Sequence, residues 1–479
     1  MTMKVVKIIL FLGLIVYSPI VKGNIGHFDE VWQERAENAK KGAFKAYNPN
    51  PENVTNDLNR ETEKVLEGQN NTRRGLYKHH GPCLATNPID RCWRCDPKWA
   101  KDRKKLVNCV LGFGRKTTGG KAGRYYVVTD PSDNDMVNPK PGTLRHAVIQ
   151  KEPLWIIFAH HMVIRLNQEL IMAGDKTIDG RGFQIHIVGG AQITLQFINN
   201  VIIHGLHIRN SVQAHGGMIR DSVDHYGQRT MSDGDGITIF GSHNIWIDHL
   251  SMSKCYDGLI DILMASTAIT ISNCHFTNHN DVFLFGSSDS FSDDQIMQVT
   301  VAFNHFGKGL VQRMPRVRWG FVHVVNNDYT HWLMYAIGGS KNPTILSEGN
   351  RFIAPPDKRA KEMKEEISNC DFVFIKKSIQ YVKLLSRLIN HLLNMSNTVQ
   401  HVKPAVQITK REYSPESVWK SWKWRSVNDL MMNGAFFVES GGPISRGNKK
   451  DVIKAKTGAS AGRLTRFAGA LNCVEHKPC

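Results

Sequence analysis

The chain has 479 residues, of which 41% are apolar, and its 61 Lys and Arg against 43 Asp and Glu give a formal net charge of +18. The apolar content excludes a mainly disordered protein, and the length allows one large domain or two to three ordinary ones. The excess of positive charge favours a polyanionic partner, with basicity that serves only solubility as the alternative.

The first 23 residues have the pattern of a secretory signal peptide. Lys4 and Lys7 precede the apolar run IILFLGLIVY, and a small-residue stretch ends at Gly23. The run is too short to span a membrane. We therefore expect a secreted, monomeric protein of the extracellular space or cell wall, with no membrane anchor and no nucleic-acid partner. Acidic polysaccharides are the polyanions available there.

Residues 24–80 form a polar N-terminal extension. Its HFDEVWQERAENAKKGAFKAY segment predicts one amphipathic helix, since its apolar residues recur at near-helical spacing: Phe28, Val31, Trp32, Ala36, Ala43 and Phe44. We expect the remainder to be a mobile polar linker. The sequons at Asn53 and Asn70 permit glycosylation.

The chain has nine cysteines. Inside a cell, CWRC (Cys92 and Cys95) would indicate half a zinc site or a redox motif. Outside a cell disulfides are favoured, with Cys83 and Cys109 as nearby candidates. A further bond is expected to close a small C-terminal loop between Cys473 and Cys479.

Short β-branched runs that end in Asn, His, Asp or Gly recur from about residue 108. Their central residues are 44, 24, 30, 23 and 21 positions apart: Ile203, Ile247, Ile271, Val301, Val324 and Ile345. Most of these steps match one turn of a β-solenoid, whereas a β-sandwich would place its strands about 8–12 residues apart. The sequence thus predicts an all-β parallel β-helix over 81–442. Recurring asparagines are expected to stack between its coils: Asn273, Asn304, Asn327 and Asn350.

Residues 363–407 interrupt this pattern. The segment lacks the strand-and-asparagine rhythm, and it holds Cys370, whose removal leaves an even number of cysteines. It is interpreted as a foreign insertion, and an unspliced intron in the gene model is a plausible source. Residues 443–479 are expected to form a C-terminal tail.

Four carboxylates form two tight pairs in this basic chain: Asp233 with Asp235, and Asp257 with Asp261. Asp257 follows Asp233 by 24 residues, the step that separates two of the coil markers. Residues one coil apart stack about 4.8 Å from each other, so the four side chains would repel each other unless they bind a cation. An isolated DGDG would more simply be a turn.

Three guanidinium groups occur within QRMPRVR, at Arg313, Arg316 and Arg318. They could clamp carboxylates, although an exposed basic loop is the commoner fate of such a run. Asp248 and His249 precede the second acidic pair. They are interpreted as a buried structural pair rather than an acid–base pair, because neighbours on a strand face opposite ways.

Long motifs resemble the plant pectate lyases of polysaccharide lyase family 1. They include DGDGITIFGSHNIWIDHLSMSKCYDGLIDILM, AFNHFGKGLVQRMPRVRWGFVHVVNNDY, CWRCDPKW and TIDGRG. The resemblance as a whole extends across nearly all of residues 80–362 and 408–442. The segment NIGHFDEVWQERAENAKKGAFKAY is similar to the N-terminal region of the pollen and flower-type members.

This resemblance implies a right-handed parallel β-helix and Ca²⁺-dependent eliminative cleavage of (1→4)-α-D-galacturonan. Calcium would be held by Asp233, Asp257 and Asp261, with Asp235 assisting. Arg313 would be the catalytic base. Arg318 and Arg316 would bind substrate carboxylates.

The sequence also departs from the family. Bacterial relatives often carry lysines where this chain has Asn280 and Asp281. Many plant members have a cysteine in place of Val317, which leaves the pairing of Cys255 and Cys274 open. The alternatives to a lyase are a polygalacturonase, whose usual GHG and RIK signatures are absent from the sequence, and a non-catalytic pectin-binding wall protein.

Overall fold

A computed structural model describes residues 29–72, 83–356, 406–442, 444 and 452–479, with the side chains of 67–72 left out. The predicted signal peptide, Cys370 and nearly all of the predicted insertion lie outside these residues. The described strands wind into the predicted parallel β-helix, whose coils contribute to three long parallel sheets. Within the described ranges, no helix is long and apolar enough to cross a membrane.

The three sheets have ten, eight and nine strands. The ten-stranded sheet contains Arg124–Val128, Leu154–Phe158, Lys176–Asp179, Asn199–His204, His243–Asp248, Thr267–Ser272, Gln298–Ala302, Phe321–Val325, Thr344–Glu348 and Trp424–Val427. The eight-stranded sheet contains Leu170–Ile171, Ile193–Gln196, Ile237–Phe240, Ile260–Leu263, Phe283–Phe285, Arg316–Val317, Ile337–Gly339 and Thr409–Arg411. The nine-stranded sheet contains Met162–Ile164, Ile185–Val188, His207–Arg209, Ser251–Ser253, His275–Thr277, His305–Phe306, Asp328–Tyr329, Arg351–Ile353 and Leu430–Met432.

Smaller elements flank the solenoid. The two-stranded pairs are the antiparallel hairpin Gly217–Ser222 with His225–Arg229, and the parallel pairs His279–Asp281 with Leu310–Gln312 and Val406–Gln407 with Ala435–Phe436. The helices are α1 (Glu30–Ala46), α2 (Pro51–Thr72), α3 (Pro88–Trp93), α4 (Leu144–Val148), α5 (Glu416–Trp419) and α6 (Ala461–Leu464).

The alternating apolar residues of the coils form one continuous core. Ile203, Ile247, Ile271, Val301 and Val324 stand directly opposite one another in the ten-stranded sheet, as the sequence markers predict. The last marker, at Ile345, is wrong. It pairs with Val322, while Ser347 stands opposite Val324. Residues two apart on a strand share a face, so an apolar pattern alone does not distinguish these two registers.

Buried asparagines connect the coils through their side chains. Asn304 Nδ2 donates to Asn327 Oδ1 at 3.0 Å, and Asn327 Nδ2 donates to Asn350 Oδ1 at 3.0 Å. Asn273 lies one residue away from this ladder, because Cys274 occupies its rung and donates its N–H to Asn304 at 2.8 Å. Three of the four predicted asparagines therefore stack directly.

The N-terminal extension contains a second helix where we predict a linker. The buried residues Val54, Leu58 and Leu66 of α2 recur at spacings of four and eight, so that they form one apolar stripe against the solenoid. Of the predicted glycosylation sites, Asn53 is exposed near the start of α2, and Asn70 lies in its last turn. Glycosylation stays a prediction at both.

The C-terminal residues pack on the solenoid rather than extending from it as a tail. Leu464 is fully buried, and Asn326 Nδ2 donates to the carbonyl of Lys456 at 2.8 Å. The described residues form three disulfides, as favoured by the sequence: Cys83–Cys95, Cys92–Cys109 and Cys473–Cys479. Cys255 and Cys274 are both buried and unbonded to one another.

The predicted end of the insertion also needs correction. Val406 and Gln407 form a strand that pairs with Ala435–Phe436, and Val406 is 1% exposed. These two residues belong to the solenoid because their backbone hydrogen bonds and apolar contacts are made there.

Candidate active site

The four predicted aspartates lie at the start of two adjacent strands of the eight-stranded sheet, three of them in the turns just before these strands. Asp261 is on Ile260–Leu263 and stands opposite Thr238 of the preceding coil. The step between these coils is 23 residues in this sheet, since Ile237 pairs with Ile260. Asp257 is consequently opposite Gly234, to whose carbonyl it donates its N–H at 3.4 Å, and not directly above Asp233 as the step of 24 predicts.

The two pairs differ in burial. Asp233 and Asp257 are exposed, whereas Asp235 is 1% and Asp261 is 8% exposed. Both oxygens of Asp235 accept hydrogen bonds, Oδ2 from Thr238 Oγ1 at 2.7 Å and Oδ1 from the Gly258 N–H at 2.8 Å. Asp235 therefore connects its own coil to the turn that carries Asp257.

The carboxylates disfavour one another's negative charge. Burial raises the pKa of Asp235 to about 7, and the charges of Asp257 and Asp233 act in the same direction. Burial, followed by the charges of Asp235 and Asp257, also raises the pKa of Asp261 well above its usual value. A cation at this cluster would relieve both the desolvation and the repulsion.

Arg313 lies beside this cluster. It follows the strand Leu310–Gln312 with a left-handed φ of +62°, and its Nε is 3.2 Å from Asp281 Oδ1. Burial raises the pKa of Asp281, while the charge of Arg313 lowers it. The side chain of Arg313 keeps 29% of its surface exposed, so it remains accessible to a ligand in the cleft.

Arg318 is the second accessible arginine, with 18% of its side chain exposed. Its Nη1 donates to the carbonyl of Gly286, and its Nε is 3.6 Å from Asp289 Oδ1. Burial, followed by the neighbouring Arg316, lowers the pKa of Arg318. A carboxylate ligand would offset this repulsion between guanidinium groups.

Arg316 differs from the other two arginines. Its side chain is 6% exposed and forms an ion pair with Glu412, which also accepts a hydrogen bond from Tyr335 Oη at 3.1 Å. The geometry gives Arg316 a protein partner in place of a substrate carboxylate. Sequence reasoning missed Glu412 and Tyr335, because Glu412 follows Arg316 by 96 residues and lies beyond the predicted insertion.

The residue types fit a hard divalent cation. Within the described ranges, no three His, Cys, Asp or Glu side chains already converge as a complete metal site. However, Asp261 Oδ1 is buried and accepts no hydrogen bond, and it lies in a cluster of carboxylates. Carboxylate oxygens are the ligands that Ca²⁺ prefers.

Asp248 and His249 are both buried, as we expect, but each of them pairs more closely with another residue than with its neighbour. Asp248 Oδ2 is 2.9 Å from His204 Nδ1, and His249 Nε2 is 2.7 Å from Asp90 Oδ1. All four side chains are at most 1% exposed. The His249–Asp90 contact joins α3 to the solenoid, whereas the His204–Asp248 contact connects two neighbouring coils.

Comparison with known proteins identifies the family. A family model described as pectate lyase matches residues 166–372, and one described as the pectate lyase N terminus matches residues 24–76. The pectate lyase of Lilium longiflorum is 55% identical over 464 residues, which cover 96% of each chain. The chain belongs to the pectate lyase family.

Other members support this assignment. Probable pectate lyase P59 of Solanum lycopersicum is 57% identical over 474 residues, covering 96% of this chain and 95% of the relative. The crystal structure of jun a 1, the major allergen from cedar pollen, is 42% identical with a TM-score of 0.68, and the match covers 80% of this chain and 99% of that one. The family and the parallel β-helix predicted from sequence are thus confirmed, while the roles of individual site residues stay predictions.

Proposed function

We propose that this pectate lyase family member cleaves (1→4)-α-D-galacturonan by β-elimination. The products would be oligosaccharides with 4-deoxy-α-D-galact-4-enuronosyl ends, released during degradation of cell-wall pectin. The observation that carries the proposal is the placement of Arg313 beside the carboxylates of Asp261 and Asp281 on neighbouring coils. Family membership supplies the reaction class.

Pectate lyases are calcium-dependent as a family, and we assign the cation site here to Asp233, Asp257 and Asp261, supported by Asp235. When bound, Ca²⁺ supplies charge neutralisation of the uronate carboxylate, which acidifies the proton at C5. Asp235 holds the Gly258 N–H, and through it the turn at Asp257. Asp261 contributes the buried oxygen that accepts no hydrogen bond.

Arg313 is assigned the role of base: in its neutral guanidine form it takes the C5 proton and becomes a guanidinium. Its Nε lies 3.2 Å from Asp281 Oδ1, which leaves the terminal nitrogens for the substrate. Arg318 is the accessible arginine for a substrate carboxylate, and its positive charge stabilises the enolate-like charge that develops in the transition state. Arg316, paired with Glu412, is better suited to keep the arginine-bearing coil in place.

Elimination then expels the 4-O-glycosidic oxygen, which takes a proton from water, and leaves a 4,5-unsaturated sugar end. We expect secretion to the cell wall, because plant pectate lyases are secreted there and the N-terminal sequence has the pattern of a signal peptide. The monomeric state stays a prediction.

The proposal is tested with polygalacturonate in the presence of Ca²⁺ and after addition of EDTA. We expect a rise in the ultraviolet absorbance of the unsaturated product that EDTA abolishes and added Ca²⁺ restores. Formation of reducing ends without this absorbance would indicate hydrolysis and reject the lyase. Binding of polygalacturonate without any cleavage would indicate a non-catalytic wall protein.

A further inference from the structure

Helix α1 contacts the solenoid at Phe197, just after the strand Ile193–Gln196 of the eight-stranded sheet. Its Trp32 is 3% exposed and packs its ring 6.2 Å from that of Phe197. The guanidinium of Arg229, on the hairpin strand His225–Arg229, lies 5.5 Å from the Trp32 ring centroid. Helix α1 thus packs against Arg229, and the other contacts of Arg229 are made with residues of the solenoid.

Arg229 binds a buried carboxylate. Its Nη2 and Nε are 3.1 and 3.2 Å from Glu169 Oε2, and Nη2 also donates to Gln196 Oε1 at 2.9 Å. Glu169 is 6% exposed and accepts a hydrogen bond from Thr194 Oγ1 at 2.5 Å through its other oxygen. Both Glu169 oxygens therefore accept hydrogen bonds, Oε2 from Arg229 and Oε1 from Thr194.

Gln192 continues this connection. Its Nε2 donates to Thr194 Oγ1 at 3.3 Å and to Thr238 Oγ1 at 2.9 Å, and its Oε1 accepts from the N–H groups of Gly234 at 2.8 Å and Asp235 at 3.2 Å. The orientation of this amide is unambiguous because its oxygen faces two backbone donors. Gln192 is 3% exposed, so these bonds do not compete with solvent.

The chain of hydrogen bonds ends at the acidic cluster. Thr238 accepts from Gln192 and donates to Asp235 Oδ2 at 2.7 Å, and Asp235 Oδ1 accepts the Gly258 N–H at 2.8 Å. Each hydroxyl in the series donates once and accepts at least once, so the donors and acceptors are matched along its whole length.

We propose that this series of side chains positions the cation site, so that the N-terminal helix contributes to its affinity for a divalent cation through Arg229, Glu169 and Gln192. The proposal rests on the proposed function only for the location of the cation. Gln192 holds the backbone of Gly234 and Asp235, and Asp235 in turn holds the turn at Asp257. Loosening any link lets the carboxylates separate under their mutual repulsion.

The test is calcium affinity measured by titration calorimetry with CaCl₂ alone, on the full chain. Gln192→Met removes the amide but keeps the length of the side chain. We expect it to weaken calcium binding by about tenfold, with a smaller change in kcat once calcium is saturating, because the polar contacts it loses are each worth about one kcal/mol. The matched control is Lys40→Ala. Lys40 lies on α1 and pairs with Asp293 at an exposed position, so this variant should leave the calcium affinity unchanged.

A double-mutant cycle tests whether the residues act as one series. Arg229→Leu is expected to weaken calcium binding about threefold alone and to add little to Gln192→Met. Unchanged affinity in a folded Gln192→Met protein, or fully multiplicative effects in the double variant, would overturn the proposal. Should Gln192→Met fail to fold, Thr194→Val removes a single hydroxyl, and unchanged affinity in that variant overturns it equally.

These outcomes separate the positioning proposal from the proposed function. A wild-type protein that binds no calcium and releases no unsaturated product rejects the lyase assignment. A wild-type protein that binds calcium as tightly as the variants do rejects only the role of the hydrogen-bond series.

Discussion

Asp429 ends the asparagine ladder with a carboxylate where an amide would fit. Its Oδ1 accepts from the backbone N–H of Asn350 at 2.7 Å and from Asn350 Nδ2 at 3.2 Å. Its Oδ2 accepts from Ser347 Oγ at 2.6 Å and from Ser426 Oγ at 2.7 Å. Burial nevertheless raises the pKa of Asp429 from 3.8 to about 7.

We predict that Asp429→Asn stabilises the protein at alkaline pH. A carboxyl pKa raised from 3.8 to about 7 means that ionisation costs about 4 kcal/mol more in the folded protein than in the unfolded chain. Because the residue keeps partial solvent contact, we expect about half of this, ~2 kcal/mol. The amide oxygen can keep the two Asn350 donors, and the two serine hydroxyls can rotate to accept from the amide nitrogen.

The pH dependence has a defined sign. Below the unfolded pKa of 3.8, Asp429 is protonated in both states and costs nothing. As the pH rises toward about 7, the unfolded chain ionises while the folded chain keeps its proton, so wild-type stability falls through this window. The asparagine does not titrate. The variant should therefore match the wild type near pH 4 and exceed it at about pH 8.

Urea unfolding followed by circular dichroism at these two pH values measures the difference. Asp102→Asn is the matched control, because Asp102 is 51% exposed and pairs with Lys105 at the surface. As an exposed ion pair, it should change stability by no more than about 1 kcal/mol at either pH value. An Asp429→Asn protein that is less stable than the wild type at pH 8, or whose advantage does not depend on pH, would refute the reasoning.

The remaining predictions concern the site and the insertion. Arg313→Lys should remove most turnover, measured by product absorbance, while calorimetry shows unchanged calcium binding; near-normal turnover contradicts its role as the base. Calcium should raise the unfolding temperature at neutral pH, because it offsets the repulsion between the carboxylates. Asp261→Asn should diminish this rise, and an equal rise in the wild type and the variant argues against the assigned site. A chain lacking residues 363–405 should keep the unfolding temperature of the full chain. Removal of 363–407 should lower that temperature, because Val406 is buried. Equal unfolding temperatures for the two shortened chains would contradict this boundary.

The repeating architecture was predictable because its causes are local. β-Branched residues alternate along each coil and asparagines recur at the turns, so the sequence alone places Ile203, Ile247 and Ile271 in register. The two aspartate pairs were predictable for the same reason, since a step near one coil brings them to neighbouring strands. Even there the step differs between sheets, and the one-residue offset of Asp257 depends on the length of the turns.

Contacts between distant parts of the chain were decided by the tertiary structure. Glu412 neutralises Arg316 across 96 residues, and no local pattern marks the two as partners. The same holds for Gln192. In the sequence it is an ordinary polar residue before a short strand, but in the fold it holds the backbone of the next coil through buried hydrogen bonds. Composition and period specify how a coil forms, whereas the burial and pairing of a polar side chain depend on which other segments the folded chain brings against it.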